Sequence, residues 1–219
     1  MDNAMDDTGA RIVNETLQEI RGVARGYESN KVILLNGPPG CGKDTLASAL
    51  AKAHPGVFIR EFKTQLYVLA DALFGLAPMT TQVINMDRER KEVPMDIYEG
   101  RSCRQALIFV SEKVIKPNFG EAYFGEAAAN RLQPREISVF SDSGFSEEAP
   151  CIIDKVGIGN VMLLRIEGRG SYAEDSRNFL PTEMFKHWGQ VHNTDTEESF
   201  LARSLLTVES FLFKGSNIT

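Results

Sequence analysis

Short apolar runs alternate with stretches of helical periodicity along most of this chain. Five runs predict β-strands, at 32–35, 57–59, 137–141, 161–166 and 190–193. Between them, apolar residues recur at helical spacing and predict helices, the first beginning at 46 and the others over 66–74, 103–113, 123–132, 147–156 and 196–212. This order of elements predicts an α/β fold whose doubly wound, mostly parallel sheet is flanked by helices.

The length of 219 residues, with 42% hydrophobic content, suits a single α/β domain over 1–219. Two stretches stand outside the alternation. Apolar residues at helical spacing over 12–23 predict that residues 1–30 form a helical extension. Residues 77–101 are polar with mixed charge, which predicts a loop-rich insertion containing one or two helical turns.

Two helix starts carry a capping signal. Ser102, with Gln105 three residues later, predicts a capping box for the helix over 103–113. Thr196 is expected to cap the closing helix. Residues 116–120 hold a proline and a glycine and predict a break before the next helix.

Composition narrows the class of protein. A net charge of −6 argues against a uniformly basic nucleic-acid surface, although a local basic cleft stays possible. Cys41, Cys103 and Cys151 have no paired spacing, which favours a reducing cytoplasm. The first residues lack the features of a signal peptide, and no run reaches membrane-span length. We therefore expect a cytoplasmic protein that is neither exported nor embedded.

A glycine-rich turn joins the first strand to the first helix. Its sequence is Gly37-Pro38-Pro39-Gly40-Cys41-Gly42-Lys43-Asp44-Thr45. The spacing G-x-x-x-x-G-K in this context is typical of a phosphate-binding loop of the Walker A type. Its glycines let successive N–H groups converge on phosphate oxygens, and Lys43 supplies a cation for the β- and γ-phosphates. The loop therefore predicts ATP as a ligand, together with Mg²⁺.

Asp44 departs from the usual pattern, in which Ser or Thr follows the lysine and gives a hydroxyl to magnesium. Thr45 comes one position late. The Asp44 carboxylate is predicted either to hold Mg²⁺ or to accept a proton from the acceptor hydroxyl. An acidic residue in a first helical turn is also favoured by the helix dipole alone.

A second carboxylate follows the third predicted strand. Asp142 comes after the apolar run 137–141, where a Walker B carboxylate would face the magnesium of the loop. An Asp-Ser-Gly sequence is also an ordinary turn. Past the second strand, Arg60, Glu61 and Lys63 are either acceptor-site residues or solvated charges.

Arginines cluster in two further places. Arg165 lies at the end of the fourth strand, and Arg169 and Arg177 lie in the glycine-flanked stretch after it. This arrangement predicts a lid over the transferring phosphate; a plain surface loop is equally compatible. Cations of the insertion and the next helix predict an anion site for a nucleotide phosphate or a DNA backbone; a solvated charged face is the alternative. The predicted substrate-binding residues are Arg88, Arg101 and Arg104 among these cations, together with Arg177.

Several strings together resemble a known family. They are Gly42-Lys43-Asp44-Thr45, Ser141-Asp142-Ser143-Gly144-Phe145, Leu164-Arg165 and the late Asn193. Over about 31–213 the chain resembles the bacteriophage P-loop deoxynucleoside monophosphate kinases. It is most similar to the phage 5-hydroxymethyluracil DNA kinases, on residues 111–117, Phe119-Gly120, 141–145 and 175–177.

The resemblance implies an ATP-dependent kinase in the host cell cytoplasm. Its first implied substrate is 5-hydroxymethyldeoxyuridine within DNA, phosphorylated on the way to hypermodified thymidine, and its second is a free deoxynucleoside monophosphate. Gly144-Phe145 replace an arginine frequent in the monophosphate kinases, which weakens the second reading. A P-loop protein that binds nucleotide as a switch is the alternative of another class, and the oligomeric state is left open.

Overall fold

The computed structural model describes residues 30–173 and 177–213. The predicted helix over 12–23, and with it nearly all of the extension over 1–30, lies outside the described residues. The described strands are β1 Lys31–Asn36, β2 Val57–Arg60, β3 Pro94–Met95, β4 Arg101–Ser102, β5 Ile137–Ser143, β6 Val161–Glu167 and β7 His187–His192.

Helices fill the connections between these strands. The described α-helices are α1 Lys43–Ala53, α2 Thr64–Leu73, α3 Thr80–Met86, α4 Cys103–Phe109, α5 Lys116–Phe119, α6 Tyr123–Asn130, α7 Glu148–Val156 and α8 Glu197–Phe213. A π-helix, Val110–Ile115, joins α4 to α5. Single 3-10 turns lie at Arg90–Glu92, Asp96–Tyr98, Ile158–Asn160 and Thr182–Met184.

Five strands form one sheet in the order β2-β5-β1-β6-β7, and every neighbouring pair is parallel. The predicted α/β fold with a parallel sheet is therefore confirmed. Because side chains alternate along a strand, Val32 and Leu34 enter one core and Ile33 and Leu35 the other. The first core includes apolar residues of α6 and α7, and the second includes those of α1 and α8. The carboxyl ends of β1, β5 and β6 meet at one edge of the sheet.

The insertion over 77–101 is more ordered than its polarity predicts. It contains α3, two 3-10 turns and β3, which pairs antiparallel with β4. A buried chain of hydrogen bonds attaches it to α2: the Tyr98 hydroxyl donates to Thr81 Oγ1 (3.1 Å), which donates to Asp71 (2.6 Å). The fully buried Tyr98 ring packs edge-on against Phe74 at 5.4 Å between ring centres.

The two caps are present, but the break over 116–120 is wrong. Ser102 and Gln105 form the reciprocal capping box, and Thr196 Oγ1 accepts from the N–H of Ser199 at 3.3 Å. Helical structure continues through the π-helix and α5 and ends only at Gly120. Pro117 lies in the first turn of α5, directly after the π-helix.

Candidate functional site

The phosphate loop leaves a row of backbone donors without partners. Gly40 and Gly42 adopt left-handed conformations, with φ of 80° and 103°. Among the described residues, none accepts a hydrogen bond from the N–H groups of Gly40, Gly42, Lys43, Asp44 and Thr45. These donors surround the N-terminus of α1, so the loop fits an anion as large as a polyphosphate.

Two oxygen-bearing side chains open this helix. Asp44 and Thr45 are exposed beside the unpartnered N–H groups. In nucleotide sites, Mg²⁺ is held by one or two protein oxygens and completed by phosphates and water. Among the described residues no three His, Cys, Asp or Glu side chains come together as a metal site. A phosphate-dependent Mg²⁺ site at Asp44 and Thr45 fits both observations.

Lys43 lies folded back into the loop. Its Nζ donates to the carbonyl oxygens of Gly37 (2.5 Å) and Pro38 (2.8 Å) and lies 3.6 Å from Cys41 Sγ. Burial lowers the Lys43 pKa, and the positive charge of Arg177 lowers it further. The ammonium group is thus held under the loop, where it would exchange carbonyl oxygens for phosphate oxygens.

A small cavity of about 110 Å³ lies on one side of the loop. Its lining residues are Gly40, Gly42, Thr45, Arg169, Asn193, Glu197 and Phe200. Asn193 donates from Nδ2 to the Cys41 carbonyl (3.0 Å), whereas its buried Oδ1 has no partner among the described residues. Arg169 is held by the Asp195 carbonyl at 3.0 Å. The orphaned oxygen marks the cavity as a place for a hydrogen-bond donor.

A larger cleft of about 690 Å³ opens on the other side of the loop. Asp44 lines it, so one residue belongs to both the phosphate loop and the cleft. The other charged lining residues are Arg60, Glu61, Lys63, Arg88, Lys91 and Arg131. Cations outnumber carboxylates in this lining, although the whole chain is acidic.

The cations of the cleft differ in their partners. Arg60 forms a two-pronged ion pair with Glu136, and Lys63 Nζ lies 3.2 Å from Glu61. Arg88 and Arg131 form no ion pair with any described residue. Burial lowers the pKa of Arg131, and the charge of Arg60 adds to this effect. An anion in the cleft would relieve that repulsion.

Asp142 is placed differently from its prediction. It lies within β5, and its two oxygens accept hydrogen bonds from the backbone N–H groups of Phe62 (3.0 Å) and Lys63 (3.2 Å). Its carboxylate therefore holds the turn that follows β2, and its metal role stays a prediction. The neighbouring Glu61 lines the cleft, and burial raises the pKa of its carboxyl, with Asp142 and Asp44 adding to the rise.

Arg165 supports the chain that returns from the predicted lid. Its Nη2 donates to the Leu180 carbonyl at 2.8 Å, and its guanidinium lies 4.9 Å from the Phe179 ring centre. Asn36, fully buried at the end of β1, holds the same segment through Asn178 and Leu180. The structure gives Arg165 a supporting position, and its catalytic role stays a prediction.

The predicted substrate-binding arginines do not all meet. Arg88 lines the cleft. Arg101 instead pairs with Glu99 (3.0 Å), and Arg104 lies 3.6 Å from Glu92, so neither lines the cleft. Arg177 does not line the cleft either, and its charge acts on Lys43 and Glu148.

Two site residues escaped the sequence reasoning. Arg131 follows α6 and carries no motif, and only the packing of α6 beside α2 brings it into the cleft. Glu148 was read only as the opening of a helix. It is buried with Oε2 unpartnered among the described residues, and burial raises its pKa well above the usual value. The one sign of this burial in the sequence is that an acidic residue lies beside the apolar face of the predicted helix.

No protein-family model matches this chain, and no curated protein matches it. In overall structure the chain is similar to a gluconokinase from Sinorhizobium meliloti 1021, at 16% identity and a TM-score of 0.45, over 84% of this chain and 97% of that one. It is also similar to a structure of the PezAT chromosomal toxin–antitoxin system of Streptococcus pneumoniae, at 12% identity and a TM-score of 0.33, over 97% and 99% of the two chains. These likenesses concern the fold alone.

Across 30–173 and 177–213, no helix combines the length and the apolar character needed to cross a bilayer. The three cysteines are unpaired, with Cys41 and Cys103 buried.

Proposed function

We propose that this chain is an ATP-dependent kinase whose acceptor binds in the larger cleft. The observation that carries the proposal is the position of Asp44. This residue stands in the first turn of the phosphate-loop helix and also lines the 690 Å³ cleft. A γ-phosphate held by the loop would therefore face an acceptor hydroxyl held in the cleft, which is the arrangement that in-line transfer requires.

The residues divide the work of the transfer as follows. Loop N–H groups and Lys43 hold the β- and γ-phosphates, and Asp44 with Thr45 would hold magnesium, which supplies charge neutralisation. The acceptor oxygen forms a bond to the γ-phosphorus as the bond to the β–γ bridging oxygen breaks, leaving ADP. Glu61 takes the hydroxyl proton, because its raised pKa and its place in the cleft suit a base.

The small cavity is proposed to take the adenine. Asn193 Oδ1 is a buried acceptor without a partner among the described residues, and the adenine amino group is a donor. Arg169, across the cavity, offers a flat guanidinium for stacking on a base.

For the acceptor we propose, first, 5-hydroxymethyldeoxyuridine within DNA. Arg88 and Arg131 are cleft cations without a carboxylate partner among the described residues, and they suit the phosphates that flank a nucleoside in a strand. Arg88 and Lys91 belong to the insertion, which extends the basic lining toward the surface.

A free deoxynucleoside monophosphate is the second candidate, and one observation favours it. The sequence reading counted against this substrate because Gly144-Phe145 stand where an arginine is frequent. The aliphatic part of Arg177 lies against Gly144, so a later segment brings an arginine to this position.

Transfer of radiolabel from γ-labelled ATP tests these proposals. The acceptors are duplex and single-stranded DNA containing 5-hydroxymethyluracil, thymine-only DNA, and free deoxynucleoside monophosphates. We expect label on the hydroxymethylated DNA alone, abolished in Lys43→Ala and retained in the matched control Lys52→Ala, an exposed lysine of the same helix. Label on free monophosphates alone would replace the first candidate with the second, and no label on any acceptor would contradict the kinase proposal.

A further inference from the structure

Gly144 has no room for a side chain. A Cβ at this position would lie 2.6, 2.9 and 3.0 Å from Cβ, Cγ and Cδ of Arg177. The backbone of Gly144 is not in the left-handed region, so its conformation alone does not demand glycine. The position requires glycine because the aliphatic part of Arg177 fills the space that a side chain would occupy.

The chain that carries Arg177 is fixed from its C-terminal side. The N–H of Asn178 donates to the Gly144 carbonyl at 2.9 Å. Asn36 donates from Nδ2 to the Asn178 carbonyl (3.0 Å) and accepts from the N–H of Leu180 (2.8 Å). Asn36 is the last residue of β1, and Gly144 directly follows β5. Arg177 is therefore held at the edge of the sheet where the phosphate loop begins.

The position of Arg177 points to an anion at that edge. Asn36, which binds the residue after Arg177, directly precedes Gly37 of the phosphate loop. The charge of Arg177 reaches Lys43 there. It also acts on the buried carboxyl of Glu148, although burial keeps the pKa of that carboxyl raised. A terminal phosphate between Lys43 and Arg177 would replace repulsion with two charge-assisted hydrogen bonds.

We propose that Gly144 is a positioning residue: its missing side chain seats Arg177 beside Lys43, where the guanidinium contacts the terminal phosphate of the bound nucleotide. This inference rests on the proposed ATP-binding function. It requires no movement of the chain that follows Arg177, because Asn178 and Leu180 are already held by Gly144 and Asn36.

The test compares binding of the ATP analogue AMP-PNP with binding of ADP, measured by calorimetry in the presence of magnesium. ADP lacks the terminal phosphate, so it serves as the internal reference and no acceptor is needed. The variants are Gly144→Ala, Arg177→Ala and a double variant that combines Gly144→Ala with Arg177→Gly, so that no Arg177 side-chain atom remains for the new Cβ to meet. The matched control is Gly159→Ala, at a glycine where a Cβ would meet no atom within 4 Å.

We expect Gly144→Ala and Arg177→Ala each to weaken AMP-PNP about tenfold relative to ADP, while Gly159→Ala changes neither. The double variant should lose no more preference for AMP-PNP over ADP than Arg177→Ala does, because the guanidinium that Gly144→Ala displaces is already gone. A further loss in the double variant would overturn the positioning role, and equal weakening of both nucleotides in Arg177→Ala would overturn the phosphate contact.

If Gly144→Ala folds too poorly for binding measurements, thermal melting still tests the contact between Gly144 and Arg177. The double variant should recover part of the melting temperature that Gly144→Ala loses, because Arg177→Gly removes the Cβ, Cγ and Cδ atoms that the new Cβ would meet. Absence of any recovery would contradict the contact. If the unmodified protein bound neither nucleotide, the proposed function itself would fall, an outcome distinct from every result above.

Discussion

Replacing Asp142 by asparagine distinguishes two roles of this carboxylate: holding the turn after β2, or binding magnesium. The side chain keeps its size but exchanges one oxygen for an NH₂ group. Both oxygens now accept from backbone N–H groups, those of Phe62 and Lys63, at 3.0 and 3.2 Å. In the variant, one of these N–H groups would face another donor and lose its partner.

The size of the effect follows from that geometry. A hydrogen bond to a charged acceptor contributes about 1.5–3 kcal/mol, and an unsatisfied buried donor costs about 1–3 kcal/mol more. The loss is partly offset, since removing a charge from the buried Asp142 returns part of its desolvation cost. We expect the free energy of unfolding to fall by about 2–3 kcal/mol.

Urea unfolding of Asp142→Asn measures this change, with Asp154→Asn as the matched control. Asp154 is exposed on α7, and its substitution should change the free energy of unfolding by less than about 0.5 kcal/mol. Phosphate transfer should also slow in Asp142→Asn, because the turn that presents Glu61 loses its anchor. Unchanged stability, together with a weaker requirement for magnesium, would refute this reasoning and return Asp142 to the metal.

Three further predictions concern single side chains. Since the Glu61 carboxyl has a raised pKa, phosphate transfer should accelerate as pH rises through that pKa. Glu61→Gln should flatten this pH–rate profile, and an unaltered profile would exclude Glu61 as the base. Burial raises the pKa of Glu148, so the folded protein loses stability as pH rises above the pKa of this carboxyl in the unfolded chain. In chemical unfolding, Glu148→Gln should therefore be more stable than the unmodified protein at pH 7 and equally stable below about pH 4. An equal gain in stability at both pH values would contradict this explanation. In competition binding, Asn193→Ala should weaken the affinity for ATP about tenfold, without a matching loss for inosine triphosphate, which lacks the amino group. Equal losses of affinity for the two nucleotides would reject the adenine contact.

The sequence was most informative where the chemistry is local. The phosphate loop occupies nine consecutive residues between a strand and a helix, so spacing alone predicts its shape. The capping box of Ser102 and Gln105 is local in the same way. The parallel sheet followed from alternating elements, because its connections are helices.

The parts that escaped prediction depend on contacts between distant positions. Asn36 bonds to residues 107 and 142 positions away, and no pattern in the sequence marks such a pairing. Asp142 accepts hydrogen bonds from two N–H groups of the turn after β2, a contact that the sequence does not indicate, and its metal role stays a prediction. Gly144 was read as the loss of an arginine, whereas the fold fills its place with Arg177 from a later loop.

The central claim is that residues 37–45 bind the phosphates of ATP. Calorimetric titration of ATP with magnesium into the unmodified protein, Lys43→Ala and Lys52→Ala tests it most directly. We predict saturable binding that weakens about tenfold or more in Lys43→Ala and is unchanged in Lys52→Ala. Absence of ATP binding to the unmodified protein, or equal affinity in Lys43→Ala, would contradict the claim.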